Sequence, residues 1–147
     1  MREMRKLSPE EARARAERAA RFLAADTRVK LVFCFGSAAD PERKIPVRDV
    51  DLAILTDSKL DLWEFLKLQS RAEAAAGGEI DLVSLNDAGV ILAHEVAETG
   101  GCLYADPADL ETDFVCRARM RYFDFKPYFD EQWRIAGERL AERRHGS

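Results

Sequence analysis

The sequence predicts an α/β (α+β) fold, in which helices flank a small mixed β-sheet and a long helical segment follows. Short apolar runs rich in β-branched and aromatic residues are typical of buried strands. They alternate along the chain with stretches whose apolar residues recur every three or four positions, as in amphipathic helices. Because 147 residues suit one domain, we predict a single domain over residues 1–147, with a core at about 29–106 and a helical segment at about 107–143.

Three strands are predicted from their apolar runs. The first covers residues 29–35 and is closed by Gly36, and the others are expected at 50–55 and 79–85. The stretch 37–48 is polar and contains two prolines, which predicts a loop with one helical turn at its start.

Two helices have recognisable start signals. Ser8, Pro9 and Glu11 have the pattern of a capping box with proline at the first helical position, which predicts a helix ending near Asp26. Asp57 or Ser58 can cap a second helix at about 60–76, stopped by the glycine pair at 77–78. Four apolar residues of the second helix are expected to face the core: Leu62, Phe65, Leu66 and Ala72.

Two further helical segments follow the third strand. Asn86 or Asp87 is the expected cap of a helix that runs to about Glu98. The last segment carries an apolar stripe at steps of three or four residues, which persists through Pro127 and predicts either one kinked helix or two helices with a break. The stripe comprises Phe114, Ala118, Tyr122, Phe125, Phe129, Trp133, Ala136 and Leu140.

Composition excludes several classes of protein. The net charge of −4 argues against a dedicated nucleic-acid binder, which needs a basic surface. No apolar run is long enough to cross a bilayer, and the N-terminus lacks a hydrophobic segment of the signal-peptide type. The three cysteines do not form a C-x-x-C pair, so neither disulfides nor a zinc site is expected. We expect a cytoplasmic protein without membrane contact.

Aspartates near two strand starts indicate a metal site. Asp49 and Asp51 are two residues apart, so on one strand they would point to the same face. Neighbouring carboxylates in an apolar strand repel each other, and a divalent cation relieves that repulsion. Oxygen ligands favour Mg²⁺ or Mn²⁺. Asp81 can add a third carboxylate if its strand lies beside the second.

The Gly36-Ser37 step after the first strand indicates a phosphate cradle. Glycine lets backbone approach a ligand closely, and Ser37 offers a hydroxyl and an N–H group. A phosphate cradle beside a carboxylate metal site is what a nucleoside triphosphate requires.

These motifs, in this order, resemble the nucleotidyltransferase superfamily related to DNA polymerase β. Gly36-Ser37 is followed by the Asp49-x-Asp51 pair and by Asp81 within an apolar strand. The small size and the stretch 80–104 are similar to its minimal branch, the MNT proteins, and the resemblance covers about residues 29–106.

The resemblance implies an activity, a partner and residue roles. Many MNT proteins are antitoxins paired with HEPN ribonuclease toxins, and some transfer AMP from ATP to a tyrosine of the toxin. Asp49 and Asp51 would then bind Mg²⁺, with Asp81 as the third, catalytic carboxylate. Gly36 and Ser37 would hold the triphosphate while a hydroxyl attacks the α-phosphorus and pyrophosphate leaves.

One departure from the family concerns positive charge. Ala38 stands where members often carry a basic or bulky residue. Lys44 and Arg48 either replace that charge by contacting phosphate or belong to a solvated loop.

Two other functions remain open at this point. The chain could neutralise a toxin by binding alone, without a competent metal site, or it could transfer a nucleotide to a small molecule such as an aminoglycoside. The aromatic stripe of the last segment is foremost core packing, and some of it can remain as a patch that meets a partner.

Overall fold

A computed structural model of the chain describes residues 6–145 and contains four strands and four helices in that range. The strands are β1 (Val29–Phe35), β2 (Asp51–Thr56), β3 (Asp81–Ser84) and β4 (Gly101–Ala105). The helices are α1 (Pro9–Ala24), α2 (Leu62–Ala76), α3 (Val90–Thr99) and α4 (Leu110–His145), and a single 3₁₀ turn covers Gly36–Ala39.

The four strands form one mixed sheet in the order β3-β2-β1-β4. β1 is antiparallel to both of its neighbours, whereas β2 and β3 run parallel. The predicted mixed α/β architecture is therefore confirmed. The edge strand β4 is not among the three strands predicted from the sequence.

Helices cover both faces of the sheet, and β1 is buried on both. Val32 and Cys34 belong to the core under α1 and α2, while Leu31 and Phe33 belong to the core under α3 and α4. This two-sided burial is the physical reason that β1 reads as an unbroken apolar run.

The first helix follows its sequence signals. Ser8 Oγ accepts a hydrogen bond from the Glu11 N–H at 3.1 Å, and Pro9 is the first helical residue. The helix ends at Ala24, close to the predicted end at Asp26.

The start and the buried face of α2 differ from prediction. Asp61, not Asp57 or Ser58, caps the helix, because Glu64 three residues later completes the capping box. Leu62 and Leu66 are 74% and 47% exposed and do not face the core. The buried face runs instead through residues spaced three or four apart, namely Phe65, Leu68, Ala72 and Ala76. Leu66 lies about 100° around the helix from Phe65 and so misses this face.

The cap of α3 also differs from prediction. Gly89 is the N-cap, and neither Asn86 nor Asp87 holds that position. Asn86 is engaged elsewhere, since its side chain hydrogen-bonds the backbone N–H and C=O of Thr56 at 3.0 and 2.8 Å. These two hydrogen bonds join the end of β2 to Asn86, which lies two residues after the end of β3.

The last segment is one helix. α4 runs without interruption through Pro127, so the predicted break is wrong and the alternative of a single helix is confirmed. No helix within residues 6–145 combines the length and apolar character that a membrane span needs. The three cysteines are free thiols.

Candidate active site

Asp51 and Asp81 lie side by side at one edge of the sheet. They are the first residues of the parallel strands β2 and β3 and are direct partners in the strand register. The Asp81 N–H donates to the Val50 carbonyl at 2.8 Å, which fixes this register. Neighbouring strands are about 4.8 Å apart, and paired side chains point to one face. The structure therefore brings these two carboxylates together, on the face covered by α3 and α4.

Asp49 is placed differently from its prediction. β2 begins at Asp51, so Asp49 lies in the preceding loop with an exposed side chain and is not held by the sheet. Val50 between them is buried. Among residues 6–145, no set of three or more His, Cys, Asp or Glu side chains is assembled as a metal site. The prediction that Asp49 and Asp51 share one strand is therefore wrong, because β2 begins at Asp51, one residue later than predicted.

Gly36 brings the backbone directly against Asp51. Phe35, the last residue of β1, pairs with Asp51 in the sheet. Gly36 then turns the chain with a φ of +70°, a conformation that favours glycine. A Cβ at this position would lie 2.7 Å from Asp51 Oδ2, so the position has no room for a side chain.

The 3₁₀ turn that begins at Gly36 forms one wall of a cavity. Ser37 is partly exposed, whereas Ala38 points away and is buried in the core under α1 and α2. The cavity has a volume of about 410 Å³, and α3 forms its opposite wall. Its lining residues are Gly36, Ser37, Ala39, Asp40, Pro41, Glu95 and Thr99.

Glu95 and Thr99 line the cavity but were not predicted as site residues. Both are exposed polar residues of α3, four positions apart, and Thr99 Oγ1 donates to the Glu95 carbonyl at 2.8 Å. No local pattern distinguishes them from other polar residues of an amphipathic helix. Their place in the cavity follows from the packing of α3 over the sheet beside Gly36.

Arg13 was missed for the same reason. It lies on α1, and its Nη2 donates to the carbonyl of Pro41 at 2.9 Å and to that of Asp40 at 3.4 Å. These bonds fasten the chain just after the turn to α1. No feature of the local sequence separates Arg13 from the other arginines of this helix.

Lys44 and Arg48 are exposed on the loop that connects the turn to β2. Neither side chain belongs to the described lining of the cavity. Both positive charges are therefore close to the site residues in sequence, but neither side chain lines the cavity.

Cys34 lies behind the site, on the opposite face of β1. Burial raises the pKa of its thiol to about 11, and the negative charge of Asp51 acts in the same direction. The thiol is therefore neutral at physiological pH and behaves as a small apolar side chain.

The sequence of the chain matches a known protein family over the region that contains this site. Residues 17–109 match the family described as Polymerase beta, Nucleotidyltransferase. The chain belongs to this family. The matched range contains the turn, β1 to β4 and all three aspartates, so the predicted resemblance to the superfamily is confirmed. No curated protein matches the nucleotidyltransferase in sequence.

Solved structures share the fold of this nucleotidyltransferase. A chain of the toxin–antitoxin complex MntA–HepT matches with a TM-score of 0.64 and 20% identity, over 86% of this chain and 97% of that one. The complex of tri-AMPylated Shewanella oneidensis HEPN toxin with MNT antitoxin matches with a TM-score of 0.58 and 21% identity, over 82% and 98%. A toxin–antitoxin structure with AMP-PNP gives 0.60 and 21%, over 80% and 98%.

Proposed function

We propose that this nucleotidyltransferase is an MNT antitoxin, which transfers AMP from ATP to a tyrosine of a cognate HEPN toxin in the cytoplasm. The observation that carries the proposal is the in-register pair Asp51 and Asp81 beside the glycine turn. Family membership supports nucleotidyl transfer. The shared fold with MntA–HepT, with an AMPylated HEPN toxin complex and with an AMP-PNP complex supports the partner and the nucleotide.

The donor set suits a hard divalent cation. Mg²⁺ is commonly bound by one or two carboxylates, with water and substrate phosphate completing its coordination. Asp51 and Asp81 supply two carboxylates from adjacent strands. Asp49 lies two residues before Asp51 on an exposed loop, where its carboxylate could also bind the cation when the nucleotide is present. Mn²⁺ takes the same oxygen ligands. A bound cation would offset the charge of the phosphates during transfer.

The glycine turn would hold the triphosphate. Gly36 gives the turn the conformation that brings it against Asp51, and the Ser37 hydroxyl and N–H can donate to phosphate oxygens. Lys44 and Arg48 would approach the phosphates from the loop above. Their exposed positions leave them able to do so without breaking a buried contact.

The transfer itself is a substitution at phosphorus. The tyrosine oxygen of the toxin attacks the α-phosphorus in line, and a new O–P bond forms. The bond from the α-phosphorus to the oxygen that bridges to the β-phosphorus breaks, and pyrophosphate leaves with that electron pair. We assign the proton of the attacking hydroxyl to Asp81, the carboxylate that pairs with Asp51 in the strand register.

Labelled ATP tests this proposal. The protein is incubated with ATP labelled at the α-phosphate, Mg²⁺ and a candidate partner HEPN protein. We expect label on that protein, and a loss of at least about 100-fold with Asp51→Asn or Asp81→Asn. Asp87→Asn is the matched control, since Asp87 is a surface carboxylate paired with Lys59 at 3.0 Å and should leave transfer unchanged.

Other outcomes would overturn the proposal. Undiminished transfer by the double variant Asp49→Ala, Asp51→Ala would show that these carboxylates are not the site. If the Asp49→Asn, Asp51→Asn variant silences the toxin without transferring label, the protein acts by binding alone. Transfer to a small molecule such as an aminoglycoside, and not to the toxin, would assign a different acceptor.

A further inference from the structure

The second half of α4 extends away from the rest of the described chain. The helix has 36 residues, which corresponds to about 54 Å at 1.5 Å per residue. Its first turns pack on the domain through Phe114 and Ala118, and the ring of Tyr122 stacks on His94 with centroids 3.6 Å apart. Beyond Tyr122, the hydrogen bonds, ion pairs and ring contacts described for residues 123–144 are all with other residues of α4.

An apolar stripe continues along this free half. It prolongs the line that packs on α3 and comprises Phe125, Phe129, Trp133, Ala136 and Leu140, which we call the α4 stripe. Trp133 is 65% exposed and Leu140 is 60% exposed. Most of the stability of a helix in a protein comes from packing of its apolar face. Burial of the stripe would stabilise it.

Acidic and basic side chains are concentrated at opposite ends of the free half of α4. Residues 123–133 carry three acidic side chains and one basic side chain. Residues 134–145 carry four basic side chains against two acidic ones. The free half of α4 therefore has a negative end near the domain and a positive end near the C-terminus.

We propose that residues 123–145 of α4 pair in antiparallel orientation with the same segment of a second copy of this chain. A two-fold axis then places each acidic end against a basic end and buries the two α4 stripes on each other. Parallel pairing would place like charges opposite one another. The pairing does not depend on nucleotidyl transfer, and its test reads molecular mass and not activity.

The first test measures the mass of the full chain by light scattering or sedimentation over a wide range of concentration. We expect a monomer–dimer equilibrium. The double variant Phe129→Glu, Trp133→Glu should raise the dissociation constant by more than about thirtyfold, since buried aromatic anchors dominate such interfaces. Trp63→Glu is the matched control, because Trp63 is 70% exposed on α2, outside the stripe, and its loss should leave the dimer intact.

A charge exchange tests the antiparallel orientation. One variant, Asp130→Lys with Glu131→Lys, makes the acidic end basic, and the other, Arg139→Glu with Arg143→Glu, makes the basic end acidic. Each should be monomeric at low salt, while an equal mixture should form a heterodimer. High salt should restore self-association of each variant, because it screens the repulsion and leaves the α4 stripe unchanged. Circular dichroism verifies that both variants keep their helix.

Three results would overturn this inference. A wild-type chain that stays monomeric at every concentration would contradict the pairing, as would a mixture of the two charge variants that fails to associate. If Trp133 becomes protected from quenching only when a HEPN toxin is added, the α4 stripe is a docking surface for the toxin and not for a second copy.

Discussion

Gly36 and Asp51 are so close that a side chain on the glycine would begin 2.7 Å from Asp51 Oδ2. This contact joins the two parts of the candidate site, because Gly36 starts the turn and Asp51 carries the carboxylate. A side chain at position 36 would therefore have to displace the Asp51 carboxylate.

The first prediction follows from this contact. Gly36→Ala meets two obstacles, a φ of +70° and the Asp51 carboxylate. Gly77→Ala meets only the first, since its φ is +79° and its surroundings are open. We expect Gly77→Ala to lose about 1–2 kcal/mol of unfolding free energy in urea denaturation, and Gly36→Ala to lose more, because it also meets the carboxylate. Only Gly36→Ala should also weaken nucleotide binding, by at least about tenfold in titration calorimetry. Equal nucleotide affinity in the two variants would show that Gly36 has no role in nucleotide binding.

The sequence carried enough information to predict β1, its closing glycine and the mixed sheet. β1 was recognisable because both of its faces are buried, which leaves an apolar run with a sharp end. Asp81 could be recognised as a candidate for a related reason, since an acid inside an apolar strand needs a function or a partner. The position of Asp49 was not predictable to the same accuracy, because strand boundaries depend on pairing with β1 and β3.

The remaining parts of the site depend on tertiary packing. Glu95 reaches the cavity because α3 crosses the sheet beside the turn, and Arg13 reaches the loop because α1 packs on the other face. The sequence around Glu95 and around Arg13 contains no pattern that predicts either contact. The exposed position of Leu62 was missed for a similar reason, since apolar spacing does not show which side of a helix lacks a packing partner.

Arg13 is predicted to position the turn for the nucleotide. Removing its side chain in Arg13→Ala releases the carbonyls of Asp40 and Pro41 and should loosen the loop that follows the turn. We expect the KM for ATP to rise about tenfold with a smaller change in kcat, because the carboxylates stay in place. Arg21→Ala, on the exposed side of the same helix, should change neither constant. A fall in kcat at constant KM would contradict a role in holding the nucleotide.

Asn86 is predicted to be a structural residue. Its side chain bonds the N–H and C=O of Thr56, a residue that is 5% exposed. Asn86→Ala leaves these buried backbone groups without partners, which should lower the free energy of unfolding by about 1–3 kcal/mol. Asp87→Ala, one residue further on, should change it by less than about 0.5 kcal/mol. Urea denaturation measures both. Transfer by folded Asn86→Ala should stay normal, since this contact lies at the end of β2 opposite Asp51.

A pH-dependent contribution to stability is predicted at Asp26. Its carboxylate accepts hydrogen bonds from the Arg28 side chain at 2.7 and 3.0 Å, and these hold its pKa below the ordinary 3.8. A lowered pKa means that folding favours the charged form. The resulting stabilisation is therefore present above the ordinary pKa and is lost as the pH falls through the lowered one.

Asp26→Asn tests this contribution directly. At about pH 7 the variant should be less stable than the wild type by up to about 1 kcal/mol, a modest amount because Arg28 is partly exposed. As the pH is lowered to about 2, a growing fraction of Asp26 is protonated and uncharged like the asparagine, so the difference should shrink. Urea denaturation at the two pH values measures it, with Asp87→Asn as a control for the loss of one surface carboxylate. A difference that is equal at both pH values would show that hydrogen-bond geometry, and not the charge of Asp26, provides the stabilisation.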